Sequence, residues 1–184
     1  MTANAARHSR ATQLTKLTDE RRLAWAEYGD PAGAPVLYCH GLPGSRLEAA
    51  LADDAARHRG LRLIAPDRPG SGRSSRNPGG DFSDWVSDLE QLLDRLDLDR
   101  VALLGVSGGG PFAIAAGVLL PARIRALALV ASFSSLAEVE RLCPGHGVAR
   151  LLGLMRRHPR ATRTLLRGLA APSLAAAPAP SLAL

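Results

Sequence analysis

The sequence predicts an α/β fold, a mainly parallel sheet with helices on both faces. Three observations carry this. Short apolar runs stand at Pro35–His40, Leu61–Ala65, Val101–Val106 and Ile124–Val130. Helix-length segments separate them, and the ends of the runs are punctuated by Gly and Pro. Strands alternating with helices of this length imply right-handed crossovers and a sheet covered on both sides. The 184 residues suit one domain with a sizeable core.

Residues 1–13 carry scattered small and polar side chains and read as a disordered arm. Leu14–Leu17 and Arg22–Tyr28 flank Thr18-Asp19-Glu20, which reads as an antiparallel hairpin before the parallel strands begin. Arg46–His58 is expected to be a helix with Leu47, Leu51 and Ala55 on its apolar face. Over Asp81–Leu96 the apolar residues Phe82, Trp85, Val86, Leu89, Leu92, Leu93 and Leu96 follow helical spacing, and Asp81 or Ser83 can cap the first turn. Pro111–Leu120 is uncharged and rich in small residues, as in a buried helix. Residues 14–140 form the expected core, and 141–184 a basic, then Ala/Pro-rich, partly helical tail. No internal repeat is visible.

The most informative stretch runs from Val101 through Gly105-Val-Ser107-Gly-Gly109-Gly110. It is a G-x-S-x-G between a strand and a helix, the context in which a serine sits strained at the tip of a tight turn. Gly105 and Gly109 let strand and helix pass closely. The free N–H groups and dipole of the helix start favour a developing oxyanion there. Ser107 is therefore the candidate nucleophile of an acyl-transfer site.

Two further segments accompany it: His40-Gly41-Leu42-Pro43-Gly44 after one strand, and Asp67-Arg68-Pro69-Gly70-Ser71-Gly72-Arg73-Ser74 after another. Together, in this order, the three resemble the α/β-hydrolase fold family over roughly residues 14 to 135. The resemblance implies an oxyanion-hole turn at His40–Gly44, a D-x-x-G-x-G-x-S loop at Asp67–Ser74 and a nucleophile at Ser107. The oxyanion donors would be the N–H groups of Gly108 and Leu42, since Pro43 has no N–H. His40 reads as a structural hydrogen-bonding residue rather than a base, with Gly41, Gly105 and Gly109 as supporting positions. A serine disfavours relatives with an aspartate elbow, such as haloalkane dehalogenases and epoxide hydrolases. Esterases, iminopeptidase-type peptidases, C–C bond hydrolases and cofactor-free haloperoxidases stay open. The expected partner is a small-molecule substrate, with no cofactor and no metal.

In this fold the triad order is Ser, then Asp or Glu, then His. After Ser107 the only acids are Glu138 and Glu140 and the only histidines His146 and His158. From Arg141 to Leu184 there is no Asp or Glu, against 17 earlier, and there are seven arginines. Neither a strand followed by an acid nor one followed by a histidine can be placed there. The resemblance thus implies that the family's last two strands, with acid and base, are missing, through truncation, a frameshift or a misread gene end. Glu138 and His146 stand in the right order to rebuild a triad; the plainer reading is a solvated helix acid and a loop histidine, and His158 is weaker still. Without a further strand, Ile124–Val130 becomes an exposed apolar edge open to self-association, unless a tail helix near Val148–Met155 covers it. A hydrolase domain without turnover is the alternative to an enzyme.

Other classes fit less well. Val101–Leu120 is long enough to raise the question of a membrane span, but Ser107, its glycines and Pro111 break it. Gly108–Ala113 satisfies G-x-G-x-x-A without the acid expected about 20 residues on. Lys16 is the only lysine, which excludes a phosphate loop. The net charge of +6 arises wholly in the last 44 residues, since residues 1–140 hold 16 basic and 17 acidic side chains; no aromatic interleaves that tail, which argues against nucleic acid. Cys39 and Cys143 make no disulfide framework, and with no signal-type N-terminus the expected location is cytoplasmic.

Overall fold

The computed structural model describes residues 12–132 together with Arg141, Gly153, Arg157 and His158. Chain contacts divide the protein into Met1–Phe133 and Ser134–Leu184. In the second unit Arg141, Gly153 and Arg157 are helical and His158 is exposed and non-helical. Glu138, Glu140, His146 and the rest of the expected Val148–Met155 helix lie outside the described residues.

In the first unit the strands are β1 (Gln13–Lys16), β2 (Arg22–Gly29), β3 (Ala34–Cys39), β4 (Leu61–Pro66), β5 (Val101–Val106) and β6 (Ile124–Val130). The sheet order is β1-β2-β4-β3-β5-β6. β2 is antiparallel to β1 and β4, while β3 runs parallel to β4 and β5, and β5 to β6. The mainly parallel sheet and its leading hairpin are as the sequence predicts. β1 starts at Gln13, and Thr12 Oγ1 accepts from Arg46.

Helices cover both faces. On one lie α2 (Phe82–Arg95) and α3 (Gly110–Leu119), packing Trp85, Leu89, Leu92, Ala113 and Ala116 over Leu37, Ile64 and Leu103. On the other lies a 3-10 segment, Arg46–Ala52, continued by α1 (Asp53–His58), with Ala49 and Ala56 against Tyr28, Val36 and Leu63. Asp81 caps α2, accepting the Ser83 and Asp84 N–H groups while Asp84 accepts the Asp81 N–H, a full capping box.

Two expectations need correction. The Arg46–His58 segment turns the other way: Leu47 and Leu51 are exposed, at 55% and 91%, as is Ala55, and the buried residues are Arg46, Ala49, Asp53 and Ala56. Polar anchors set this face. Asp67 binds Arg46, and Asp53 accepts the Gly29 N–H at 2.7 Å, so the small alanines meet the sheet. Second, α3 is not buried all round. Gly110, Ala113 and Ala116 are buried, but Val118 and Leu119 are 69% and 51% exposed. A helix lying on a sheet buries only the stripe that meets it.

Among the described residues β6 pairs with β5 alone, and Leu127, Leu129 and Val130 are exposed. The apolar edge is as the sequence predicts. Among the described residues no helix is long and apolar enough to cross a membrane.

Candidate active site

The site forms where β5 meets α3. Ser107 follows Val106 directly and takes φ 50°, in the left-handed region, where a residue with a Cβ is strained by about 1–2 kcal/mol. A single 3-10 turn, Ser107–Gly109, leads into α3. The glycines around it are contact points. A methyl group on Gly105 would lie 2.9 Å from Ala113 Cβ, and one on Gly109 would overlap the Cys39 carbonyl oxygen. β5 and the helix start thus approach more closely than side chains permit, which leaves Ser107 half-buried at the tip of the turn.

The His40–Gly44 turn leaves β3 beside this elbow. A methyl on Gly41 would sit 3.5 Å from Ser107 Cβ, and one on Gly108 would sit 2.7 Å from Leu42 Cβ and 3.2 Å from Leu42 N. The structure therefore brings Ser107, Gly108, Gly41 and Leu42 together. The Leu42–Pro43 peptide is cis. Among the described residues no acceptor is paired with the Leu42 N–H.

His40 is fully buried. The Arg68 N–H, which can only donate, lies 3.3 Å from His40 Nε2, so that nitrogen accepts and Nδ1 carries the proton, 3.0 Å from Gly41 O. Burial, then the Arg68 charge, holds the imidazole below its ordinary pKa and keeps it neutral. Both ring nitrogens are committed to backbone groups, and neither is left to take a proton from Ser107.

Sequence reasoning assigned no role to Arg68 or Glu48. The Arg68 fork donates to His40 O at 2.6 Å and Gly41 O at 2.7 Å, with a longer contact to Gly108 O at 3.4 Å, and the guanidinium lies 4.6 Å over the Phe112 ring. Glu48 accepts the Gly41 N–H at 3.0 Å on each oxygen and the Tyr38 hydroxyl at 3.0 Å. An arginine directly after the acid that follows β4 was the one available signal, and it does not by itself reveal backbone partners.

The Asp67–Ser74 loop is folded around its own first residue. The Asp67 carboxylate accepts the Arg73 N–H at 2.8 Å, a methyl on Gly72 (φ 50°) would overlap that carboxylate, and Ser74 Oγ donates to Asp67 O at 2.8 Å. Only glycine fits where the chain passes over the carboxylate.

A cavity of about 500 Å³ opens at this junction, lined by Leu42, Gly108, Arg68 and the aromatic rings of Phe82, Trp85 and Phe112. Phe112 meets Phe82 and Trp85 edge-on, with centroids 5.0 and 5.9 Å apart. The two residues expected to supply oxyanion donors thus face a largely apolar space. Among the described residues Ser107 Oγ has no histidine or carboxylate hydrogen-bonded to it, and no group of His, Cys, Asp and Glu could hold a metal ion. Glu138 and His146 lie outside the described residues.

A mainly parallel sheet of this order, with helices on both faces, agrees with what comparison with known proteins finds. The family described as alpha/beta hydrolase fold matches residues 34–178. The chain belongs to that family. The match starts later and runs further than the span of roughly 14 to 135 read from the motifs. Among curated relatives, this α/β-hydrolase is 40% identical over 105 residues to 2-hydroxy-6-oxo-2,4-heptadienoate hydrolase of Pseudomonas putida, covering 54% of the chain and 37% of the relative. It is 35% identical over 107 residues to proline iminopeptidase of Xanthomonas citri, covering 54% and 33%. A solved structure of a probable hydrolytic enzyme from Pseudomonas aeruginosa superposes with a TM-score of 0.64 at 22% identity, over 74% of this chain and 46% of that one. The chain spans about a third of the length of these curated relatives.

Proposed function

We propose that this α/β-hydrolase is a serine hydrolase that opens an ester, amide or related acyl bond of a small-molecule substrate through an acyl-enzyme on Ser107. The observation that carries the reading is the placement of Ser107 at φ 50° next to Gly108, which lines a largely apolar cavity together with Leu42. Ser107 Oγ attacks the acyl carbon, and the carbonyl electron pair moves onto its oxygen. The N–H groups of Leu42 and Gly108 receive that oxyanion, each worth on the order of 10²–10³ in rate. Collapse of the intermediate expels the leaving group, which takes up the proton that Ser107 gave to a base, and water then releases the acid. That base is not His40, whose nitrogens are engaged.

The relatives named above are a heptadienoate hydrolase and an iminopeptidase, and an acyl or peptidyl substrate fits that company. The cytoplasmic setting remains part of this reading and rests on cysteine usage, Cys39 being free and buried.

Intact-mass labelling of the folded protein with a fluorophosphonate tests the proposal, with Ser107→Ala as control. One adduct per chain, lost in the variant, is the expected result. A folded, monodisperse protein that takes up no label would mean a hydrolase domain without turnover, and the serine mechanism would fall.

A further inference from the structure

The Gly41–Leu42 peptide is loaded on one side only. Its carbonyl oxygen receives Arg68 Nη2 at 2.7 Å and His40 Nδ1–H at 3.0 Å, while its N–H, that of Leu42, has no acceptor among the described residues. The preceding peptide is bonded at both ends: His40 O accepts Arg68 Nη1 at 2.6 Å, and the Gly41 N–H reaches the two Glu48 oxygens. Arg68 is 5% exposed and forms no ion pair with a carboxylate among the described residues; its fork donates to these carbonyls, its face lies over the Phe112 ring, and the Glu48 charge acts on it through space.

We propose that Arg68 is the positioning residue of the oxyanion hole, fixing the Gly41–Leu42 peptide and polarising it so that the Leu42 N–H becomes a stronger donor. This rests on the reading of Leu42 as an oxyanion donor. A cation bonded to a peptide oxygen draws electron density from the nitrogen and makes the N–H more acidic. Bonds in such a chain strengthen one another by roughly 10–30% each, and a charge-assisted link is about twice as strong as a neutral one. Burial keeps water from screening the effect. His40 adds the second donor to the same oxygen, and Glu48 fixes the turn from its other side. A buried cation without a carboxylate is costly to hold. Placed here, its field acts one peptide away from the point where negative charge develops.

The arrangement also separates this role from general support. Arg68 touches neither the Ser107 hydroxyl nor the Leu42 N–H in any hydrogen bond of the structure. Of its contacts, the one to the Gly41 carbonyl is on the same peptide as the Leu42 N–H, and the Leu42 and Gly41 shifts read that contact separately from any direct effect of the charge on the cavity.

The test uses the full chain with Arg68→Met and Arg68→Lys, read in two ways. First, the Leu42 amide ¹H and Gly41 ¹³C′ chemical shifts are compared with those of the unaltered protein, the β1–β2 hairpin signals reporting intact folding. Both shifts should move upfield in Arg68→Met and by a smaller amount in Arg68→Lys, which keeps the charge and loses the fork. Second, the rate constant for fluorophosphonate modification of Ser107 should fall about tenfold to a hundredfold in Arg68→Met, less than for deleting a donor. Unmoved Leu42 and Gly41 shifts would overturn the proposal, as would an unchanged rate in a protein that labels. If the unaltered protein does not label at all, the serine-hydrolase reading fails, and the shifts alone still decide whether Arg68 polarises this peptide. Should Arg68→Met not fold, Arg68→Lys carries both measurements.

Discussion

Asp67 holds Arg46 twice, accepting its backbone N–H at 2.6 Å on one oxygen and its Nη1 at 2.7 Å on the other, with the carboxylate wholly buried. The pair ties the end of β4 to the start of the 3-10 segment and so fixes the loops on both sides of the cavity. Removing one partner of a buried pair leaves an uncompensated group and typically costs about 3–5 kcal/mol. Asp67→Asn and Arg46→Leu should each lose stability on that scale in urea unfolding. Because the two share one interaction, the double variant should lose clearly less than the sum. Additive losses would show that the pair contributes no coupling.

Two glycines of neighbouring elements should respond with opposite signs. At Gly109 a methyl group would overlap the Cys39 carbonyl, a rigid backbone atom, so Gly109→Ala should destabilise by at least about 1–3 kcal/mol. At Gly117, inside α3, the nearest atoms to a methyl lie 3.9 Å away. Gly117→Ala should therefore stabilise by about 0.4–1 kcal/mol, through helix propensity and a less free unfolded chain. Thermal unfolding of the two variants side by side checks both. A harmless Gly109→Ala would mean that the elbow does not approach β3 as closely as described.

The buried His40 predicts an acid-sensitive fold. Burial and the Arg68 charge lower its pKa, so the unfolded chain, with a value near 6.5, binds the proton more readily. Stability from the neutral ring is complete above about pH 6.5 and is lost as pH falls from there towards the folded value, by at most about 1.4 kcal/mol per pH unit. Urea midpoints measured between about pH 7.5 and about pH 5.5 should fall on acidification, and less steeply in His40→Gln, which cannot take up the proton. Parallel pH profiles would mean that His40 is not held neutral.

Much of this was legible because the signals are local. The strands announce themselves as short apolar runs, the α2 cap is one aspartate before a helical pattern, and the glycines flanking Ser107 report a close approach that the structure then shows. What stayed illegible depends on partners distant in the chain. The leucines of Arg46–His58 have helical spacing, yet Asp67 and Gly29, from other elements, turn them to solvent. Arg68 was invisible for a related reason: its partners are the backbone carbonyls of His40 and Gly41, and a backbone acceptor has no residue type to read.

The β6 edge gives the last prediction. Among the described residues the strand is paired by β5 alone, and its apolar side chains Leu127, Leu129 and Val130 are 42%, 46% and 52% exposed. Arg125 is the only charged residue within it, and its guanidinium donates to Pro35 O at 3.1 Å instead of standing along the edge. Natural edges are usually blunted by lysines, prolines or bulges, because unpaired N–H and C=O groups recruit another strand. Ile124–Val130 has no lysine and no proline, and the one register shift in its pairing falls near its start, between Val101 and Ala102 of β5. Sedimentation velocity of the full chain should accordingly show larger species that grow with concentration. Ala128→Lys places a charge on an exposed position of the edge and should shift the population towards monomer, at a stability cost within about 0.5 kcal/mol. A monomer at every concentration would show that the edge does not recruit a second copy, and an unchanged distribution in Ala128→Lys would place any association elsewhere on the surface.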